Sequence, residues 1–519
     1  MNQEEIKKKQ KRVMIYVMII SLICVVGVSY AFFTAGMSSE TSTTVRADAG
    51  TMKITYSGGA NIDLAGIYPK DDVWATKTIT VTGNNTTDAE MYYKLTLVVD
   101  SNTFKTDDPL QYELVSTNTS TNGEIIPNIS KTDITGTSIE LGSGKFAKAN
   151  NASHTYELKI YYPKKATSQN ANQGAAFSAH VEITSAKAPK TNGKLSELVL
   201  YNNEVKTPLT TPGAAISTAD EALLASAEDD YGTSYYFRGA VKNNYVEFAN
   251  KCWRIVKVGG DSSVKLILHN DNITGAANPC DTANNSASAA FARYSDTTYK
   301  SAFNTNYDDN AYVGFKYGTP GSSTYEATHA NTNKSTILTN LETWYNDNLS
   351  TYEKVIADTV WCNDKTNVTD TTYDPWNWNP NGLGYAKNIT FYGATQRLVS
   401  TSGNAGGTGL SLKCNGELSK INSKVGLITA DELALAGYAF SQNNTTTYLQ
   451  ENATDTYWWS LSPGDFRDSG AIVWYVSGSD GSFGSHYVSV TVGVRPSISL
   501  KSTTNVTGNG TSDKPYKVV

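Results

Sequence analysis

The sequence predicts a mainly β protein: one N-terminal transmembrane or signal helix, an antiparallel β-sandwich, and a mixed α+β module. Three observations carry this. A basic flank and about 20 apolar residues open the chain. Short alternating runs split by Gly, Asn and Asp fill the next stretch. Beyond it, helix caps and strand-like runs are interspersed. The boundaries read as 1–33 for the basic N-region and apolar segment, 34–186 for the sandwich, 187–194 for a linker and 195–519 for the α+β module.

The opening segment is the sharpest signal. Lys7, Lys8, Lys9, Lys11 and Arg12 precede an uncharged stretch from Val13 to Phe33. That length spans a bilayer with the basic flank on the cytoplasmic side, which places residues 34–519 outside. Ser29-Tyr30-Ala31 sets small residues one and three positions before a cut at Ala31/Phe32, the pattern signal peptidase accepts. A retained anchor and a cleaved signal therefore both stay open. No C-terminal sorting motif with an apolar tail follows, so the expected anchor is the N-terminal helix. Cys24 reads as an apolar thiol within the span.

Composition agrees with an exported β protein. The chain has 519 residues, too many for one ordinary core. At about 150 residues per domain it predicts two to four units. Only 18% of residues are charged, while Gly numbers 40 and Tyr 32, a mix that suits strands and turns. The formal net charge is −6. Residues 1–12 carry five Lys/Arg and two Glu, a net of +3, which leaves −9 for the rest. An acidic ectodomain speaks against a nucleic-acid partner. Four further cysteines, Cys252, Cys280, Cys362 and Cys414, contain no C-x-x-C pair, so no zinc site is expected. Sequence proximity favours Cys252–Cys280 and Cys362–Cys414 as disulfides, with free buried thiols as the alternative.

In the sandwich region, Met52–Tyr56, Thr78–Val81, Tyr92–Val99, Tyr156–Tyr162 and Phe177–Ile183 read as strands, and Gly83-Asn84-Asn85 as a turn. Ala186 to Gly193 reads as an interdomain linker because Pro and polar residues replace the apolar period. In the α+β region, Asp220–Glu228 reads as helical after Ser217/Thr218. Part of Thr336–Asp358 does too, with Leu338, Leu341, Trp344 and Tyr345 on one stripe. Thr429 and Glu432 form a capping box that opens a short helix closed by Gly437. Lys251–Lys257, Val264–His269, Ala471–Ser477 and Tyr487–Val492 read as strands.

Two resemblances add to this reading. Gly27-Val28-Ser29-Tyr30-Ala31-Phe32-Phe33-Thr34, followed by Ala49-Gly50-Thr51-Met52-Lys53-Ile54, resembles the start of the camelysin and biofilm-matrix-fibre family of Firmicutes. The likeness runs over about 13–185 and implies a jelly-roll-like sandwich at the cell surface, and in some members fibre assembly. One branch has been called a metalloprotease, but no H-E-x-x-H occurs and His154 and His180 stand alone. Segments including Cys252-Trp253-Arg254-Ile255 and Gly426-Leu427-Ile428-Thr429-Ala430-Asp431-Glu432 resemble a surface module of gut Firmicutes. Tyr457 to Pro463 and Gly493 to Pro496 look like the core of the C-type-lectin-like fold, over about 420–519. That fold is shared with formylglycine-generating enzymes, whose reactive cysteines have no counterpart after Cys414. The resemblance implies a binding platform.

Chemistry is sparse. No G-x-S-x-G, P-loop or dinucleotide fingerprint occurs, and no cofactor is expected. Asp308-Asp309 reads as a solvated turn. Asp431 and Glu432 are the candidate glycosidase carboxylates, but their place in the capping box explains them. Trp376 and Trp378 sit among amides and suit stacking on sugar rings or a protein hot spot. Asp465, Arg467, Trp474 and His486 lie on what the lectin-like fold would turn towards a ligand. Arg495 and Tyr457-Trp458-Trp459 read as structural. The expectation is a non-enzymatic adhesin or ligand-binding protein at the bacterial surface. Its partners would be the membrane, through the N-terminal helix, and a host or cell-wall glycan or surface protein. The alternatives are a self-assembling fibre or matrix subunit and a carbohydrate-active enzyme.

Overall fold

The computed structural model describes residues 43–47, 52–85, 90–118, 122–186, 190–295 and 297–519. The chain divides into two compact units with the boundary at Ala188/Pro189. The apolar segment 13–33, with Cys24, Ala31 and Phe32, lies outside the described residues. Among those residues no helix is long and apolar enough to cross a membrane.

The first unit is two antiparallel sheets. One runs in the order Thr43–Ala47, Met52–Ser57, Lys70–Asn85, Ala149–Tyr162, Gln111–Ser116, Ile129–Asp133; the other runs Ile62–Ala65, Ala176–Ala186, Met91–Asn102, Ser138–Phe146. Met91–Asn102 alternates buried and part-exposed residues over Met91–Val99. In Met91–Asn102 the buried positions include Tyr93, Leu95, Leu97 and Val99. Ile79, Val81, Leu158 and Ile160 of the larger sheet join these residues in one core, as inward faces of a sandwich must. A polar tie is built into that core: the Tyr93 hydroxyl lies 2.7 Å from His154 Nδ1 and 2.5 Å from the Tyr156 hydroxyl. His154 is thus a satisfied interior residue, its pKa lowered mainly by burial.

The expected turn at Gly83-Asn84-Asn85 is strand. It pairs with Met52–Ser57 on one side and Ala149–Tyr162 on the other. Gly83 is there because a Cβ would lie 2.4 Å from the Phe146 ring: the glycine admits the aromatic rather than bending the chain.

The second unit centres on a nine-stranded and a six-stranded sheet, with five short α-helices among the described residues. The expected helix at Asp220–Glu228 is a strand, Ala222–Asp229, paired along its length with Gly232–Gly239. It buries Leu224 on one face and Leu223 and Ala225 on the other. Two-sided burial overrides the helix preference of its Ala and Leu residues. The expected linker is partly structured, since Asn192–Lys194 pairs with Asn505–Thr507. The expected strand Tyr487–Val492 is interrupted: one strand ends at Tyr487 and another runs Thr491–Gly493, with a turn between. The other two expected helices form, the first over only part of its expected range. Ser335 caps Thr336–Asn348, which buries Leu338, Leu341, Trp344 and Tyr345. The Thr429/Glu432 capping box opens Ala430–Ala436, closed by Gly437 at φ 134°. Trp458 and Trp459 are core, and Tyr457 is exposed. Asp309 is buried rather than solvated; it caps a short helical turn through Ala311 N and also accepts from Gly321 N.

Both disulfides form as paired by proximity, Cys252–Cys280 and Cys362–Cys414, so the free-thiol alternative does not hold. The first is fully buried beside Tyr245; the second is half-buried. A mild reductant should therefore open Cys362–Cys414 first and leave Cys252–Cys280 intact until the unit unfolds, since thiolate access controls exchange. Differential alkylation read by mass spectrometry tests this order, and early loss of Cys252–Cys280 would contradict it. Each bond closes a loop that contributes about 3–4 kcal/mol in the chain-entropy account.

Candidate functional site

Two segments distant in sequence build one aromatic, cationic ledge. The first is the loop 374–382. Asp374 folds it, its carboxylate accepting from Trp378 N and Asn379 N, each at 2.8 Å. Asn377 and Asn379 take φ of 59° and 54°, a conformation Asn tolerates. The turn brings Trp376 and Trp378 together, with ring centroids 4.6 Å apart. Both are half-buried, and Asn377, Asn379 and Asn381 beside them are exposed.

The second segment is the hairpin of Trp458–Arg467 and Gly470–Val476. Its two-residue turn, Asp468-Ser469, has both φ values positive, 46° and 66°, the type I′ geometry that matches strand twist. Arg467 ends the first strand, and its guanidinium lies 4.1 Å from the Trp378 ring. Phe391 stacks against Trp378 at 5.3 Å. Phe440 contacts Trp376 and Trp474, at 5.9 Å and 5.7 Å. The Trp378 indole is thus held between a cation and an aromatic.

The six residues singled out from sequence divide here. Trp376, Trp378 and Arg467 are in direct contact and reach solvent. His486 is exposed on the neighbouring strand, pairing with Val473; burial and the charge of Arg467 lower its pKa. Trp474 has no surface to offer a ligand: it is buried and donates to Thr395 Oγ1 at 3.2 Å. Asp465 is also buried, under the ledge. Its Oδ1 lies 3.2 Å from Arg467 Nε, yet neither atom makes a well-oriented hydrogen bond. Burial pushes its carboxyl up to about 7, with Arg467 opposing. Phe391 and Phe440 complete the site and carried no functional signal in the sequence; an aromatic remote in sequence from a Trp pair is indistinguishable from core.

A second feature was legible only in its carboxylates Asp431 and Glu432 and its disulfide. A cleft of roughly 600 Å³, including its open mouth, is lined by Asp229, Lys257, Lys265, Arg397, Asp431 and Glu432, with the Cys362–Cys414 bridge at its edge. Arg397 grips Asp431 with two bonds of 2.8 Å and Asp364 with a third of 2.8 Å. Glu432 accepts from Lys265 at 2.6 Å and from Thr429 N at 2.9 Å. Burial would raise the Glu432 carboxyl, but Lys265 and Lys257 hold it below its usual range. Both candidate glycosidase carboxylates are therefore engaged by cations. Helix Gly393–Leu398 links the two features. Its Thr395 anchors Trp474 and Gly464 under the ledge, and its Arg397 points into the cleft. Arg495 is structural, donating to Leu268 O and Leu449 O and lying over Trp458.

The class these observations define is a β-rich, disulfide-held module with a surface aromatic ledge beside a charged cleft. Residues 396–502 match the model of a domain of unknown function, DUF6273. That stretch holds Arg397, Phe440, Asp465, Arg467 and His486 but not Trp376 or Trp378. No curated protein matches the sequence.

Proposed function

We propose that this is a non-enzymatic bacterial surface protein of the adhesin type, which binds a glycan or surface protein through the second unit. In this reading the apolar segment 13–33 tethers or exports the chain, the sandwich is jelly-roll-like and acts as a stalk, and residues 420–519 form a C-type-lectin-like core. The observation that carries the reading is the convergence of Trp376, Trp378 and Arg467 on one half-exposed surface. Paired aromatics beside an arginine are the residue types that dominate binding energy.

The test is binding of the full chain to immobilised glycans and surface proteins, native against a Trp376→Ala/Trp378→Ala double variant. Removing two anchors should weaken binding about 30-fold or more. Equal binding by the variant would remove the ledge as the site.

A second reading, a fibre subunit, draws on one observation. Among the described residues Thr43–Ala47 is an edge strand paired with Met52–Ser57 alone, the type of strand a neighbouring copy can replace. N-terminal sequencing separates the two: Met1 in the membrane fraction supports the tethered adhesin, and Phe32 in high-mass assemblies the fibre.

A further inference from the structure

We propose that the ledge takes a carboxylate-bearing sugar, such as a uronic or sialic acid residue of a glycan, with its ring against Trp376 and the solvent-facing edge of Trp378 and its carboxylate on Arg467. This rests on the binding role proposed above and names the ligand class for that site.

In the second unit Arg238, Arg254, Arg293, Arg397 and Arg495 all donate from their side chains. Arg467 alone donates to none of the described residues. The carboxyl nearest it, that of Asp465, faces Nε without hydrogen-bond geometry. An arginine carries five N–H donors in a rigid plane. The guanidinium carbon lies 4.1 Å from the Trp378 ring centroid, a cation–π contact that holds the group in place without spending a hydrogen-bond acceptor on it. The side chain is 29% exposed. A fixed, half-exposed guanidinium with unspent edges matches a planar carboxylate, which it can hold bidentately.

The surroundings favour a sugar over an acidic peptide. Aromatic ring area lies directly beside the cation, and a sugar ring offers a flat C–H face to it. The exposed amides of Asn377 and Asn379 flank the pair and can both donate to and accept from hydroxyls. His486 adds a further exposed ring nitrogen on the adjoining strand.

Polygalacturonate, its fully methyl-esterified form, 3′-sialyllactose, lactose and poly-glutamate, each offered to the full chain, test this. Methyl esterification leaves the sugar backbone in place and removes only the charge, so it needs no variant protein. We expect at least one of the two acidic glycans to bind. Its neutral counterpart should bind about 10- to 100-fold more weakly. Arg467→Gln should cost a similar factor, while Arg467→Lys, which keeps the charge but not the fork, recovers only part. Binding that is indifferent to esterification, to loss of the sialic acid and to Arg467→Gln would overturn the acidic-sugar assignment while leaving a lectin role standing. Equal binding of poly-glutamate would overturn the sugar component. No binding to any glycan, with a protein ligand retained, would overturn this inference and not the adhesin reading; loss of every ligand would overturn both.

Discussion

Replacing Asp465 with asparagine will change the pH dependence of unfolding of the second unit by about 4 kcal/mol between pH 4 and pH 8. The sign follows from burial. The folded carboxyl sits at about 7 against an ordinary 3.8. The folded state therefore holds a proton that the unfolded chain releases. Stability is greatest below about pH 4, falls as pH rises towards 7, and is level above it. Arg467 opposes the shift and Asp468 adds to it; the hydroxyls of Tyr373 and Tyr392 feel the same charge. The amide introduced by Asp465→Asn carries no charge at any pH, so the variant gains on the native protein as pH rises, whatever its fixed packing cost. Eight of the nine tryptophans lie in residues 190–519, so intrinsic fluorescence reports this unit. Parallel pH profiles for the two proteins would show that Asp465 is ionised throughout.

Arg397→Ala should destabilise the same unit by about 3–5 kcal/mol, because it leaves two buried carboxylates with their shared cation gone. Asp431 and Asp364 side chains are 2% and 4% exposed. Asp431 retains only the amide of Ser411, and Asp364 the amide of Thr366. Burial alone would lower the Arg397 pKa, but the two carboxylates raise it above its ordinary value, so the guanidinium keeps its charge. Arg397→Lys should recover less than half, since an ammonium cannot form the two parallel bonds to Asp431. Denaturant midpoints followed by tryptophan fluorescence measure both variants. A loss under about 1 kcal/mol for Arg397→Ala would mean that water fills the cleft and solvates the acids.

Much of the fold could be read from residue order. Strands of the sandwich declare themselves by period two, because each has one face in the core. The capping box at Thr429 is local chemistry and was legible for that reason. Failures came where distant contacts decide. Ala222–Asp229 has helix-forming residues and becomes a strand because sheet neighbours bury both its faces. Gly83 looks like a turn and is a socket for Phe146, which is remote in sequence. The ledge was half-legible. Trp376, Trp378 and Arg467 were recognisable as residue types, yet only the fold sets Arg467 on Trp378. Trp474, of equal promise in sequence, turned inward. The cleft cations Lys257, Lys265 and Arg397 are isolated in sequence, and nothing local separates them from surface charge.

Asn192–Lys194, the first strand of the second unit, pairs with Asn505–Thr507, and the last strand, Tyr516–Val518, pairs with the other edge of Asn505–Thr507. The unit thus starts and finishes at one spot on its surface. A few residues would join its ends, so circular permutants opened at an exposed loop should fold. The same arrangement makes the unit a cassette: it should tolerate being spliced into a loop of another protein, or appended to a different domain, without disturbing the host's own path. Recombination can therefore move the ledge and cleft together as a single heritable part.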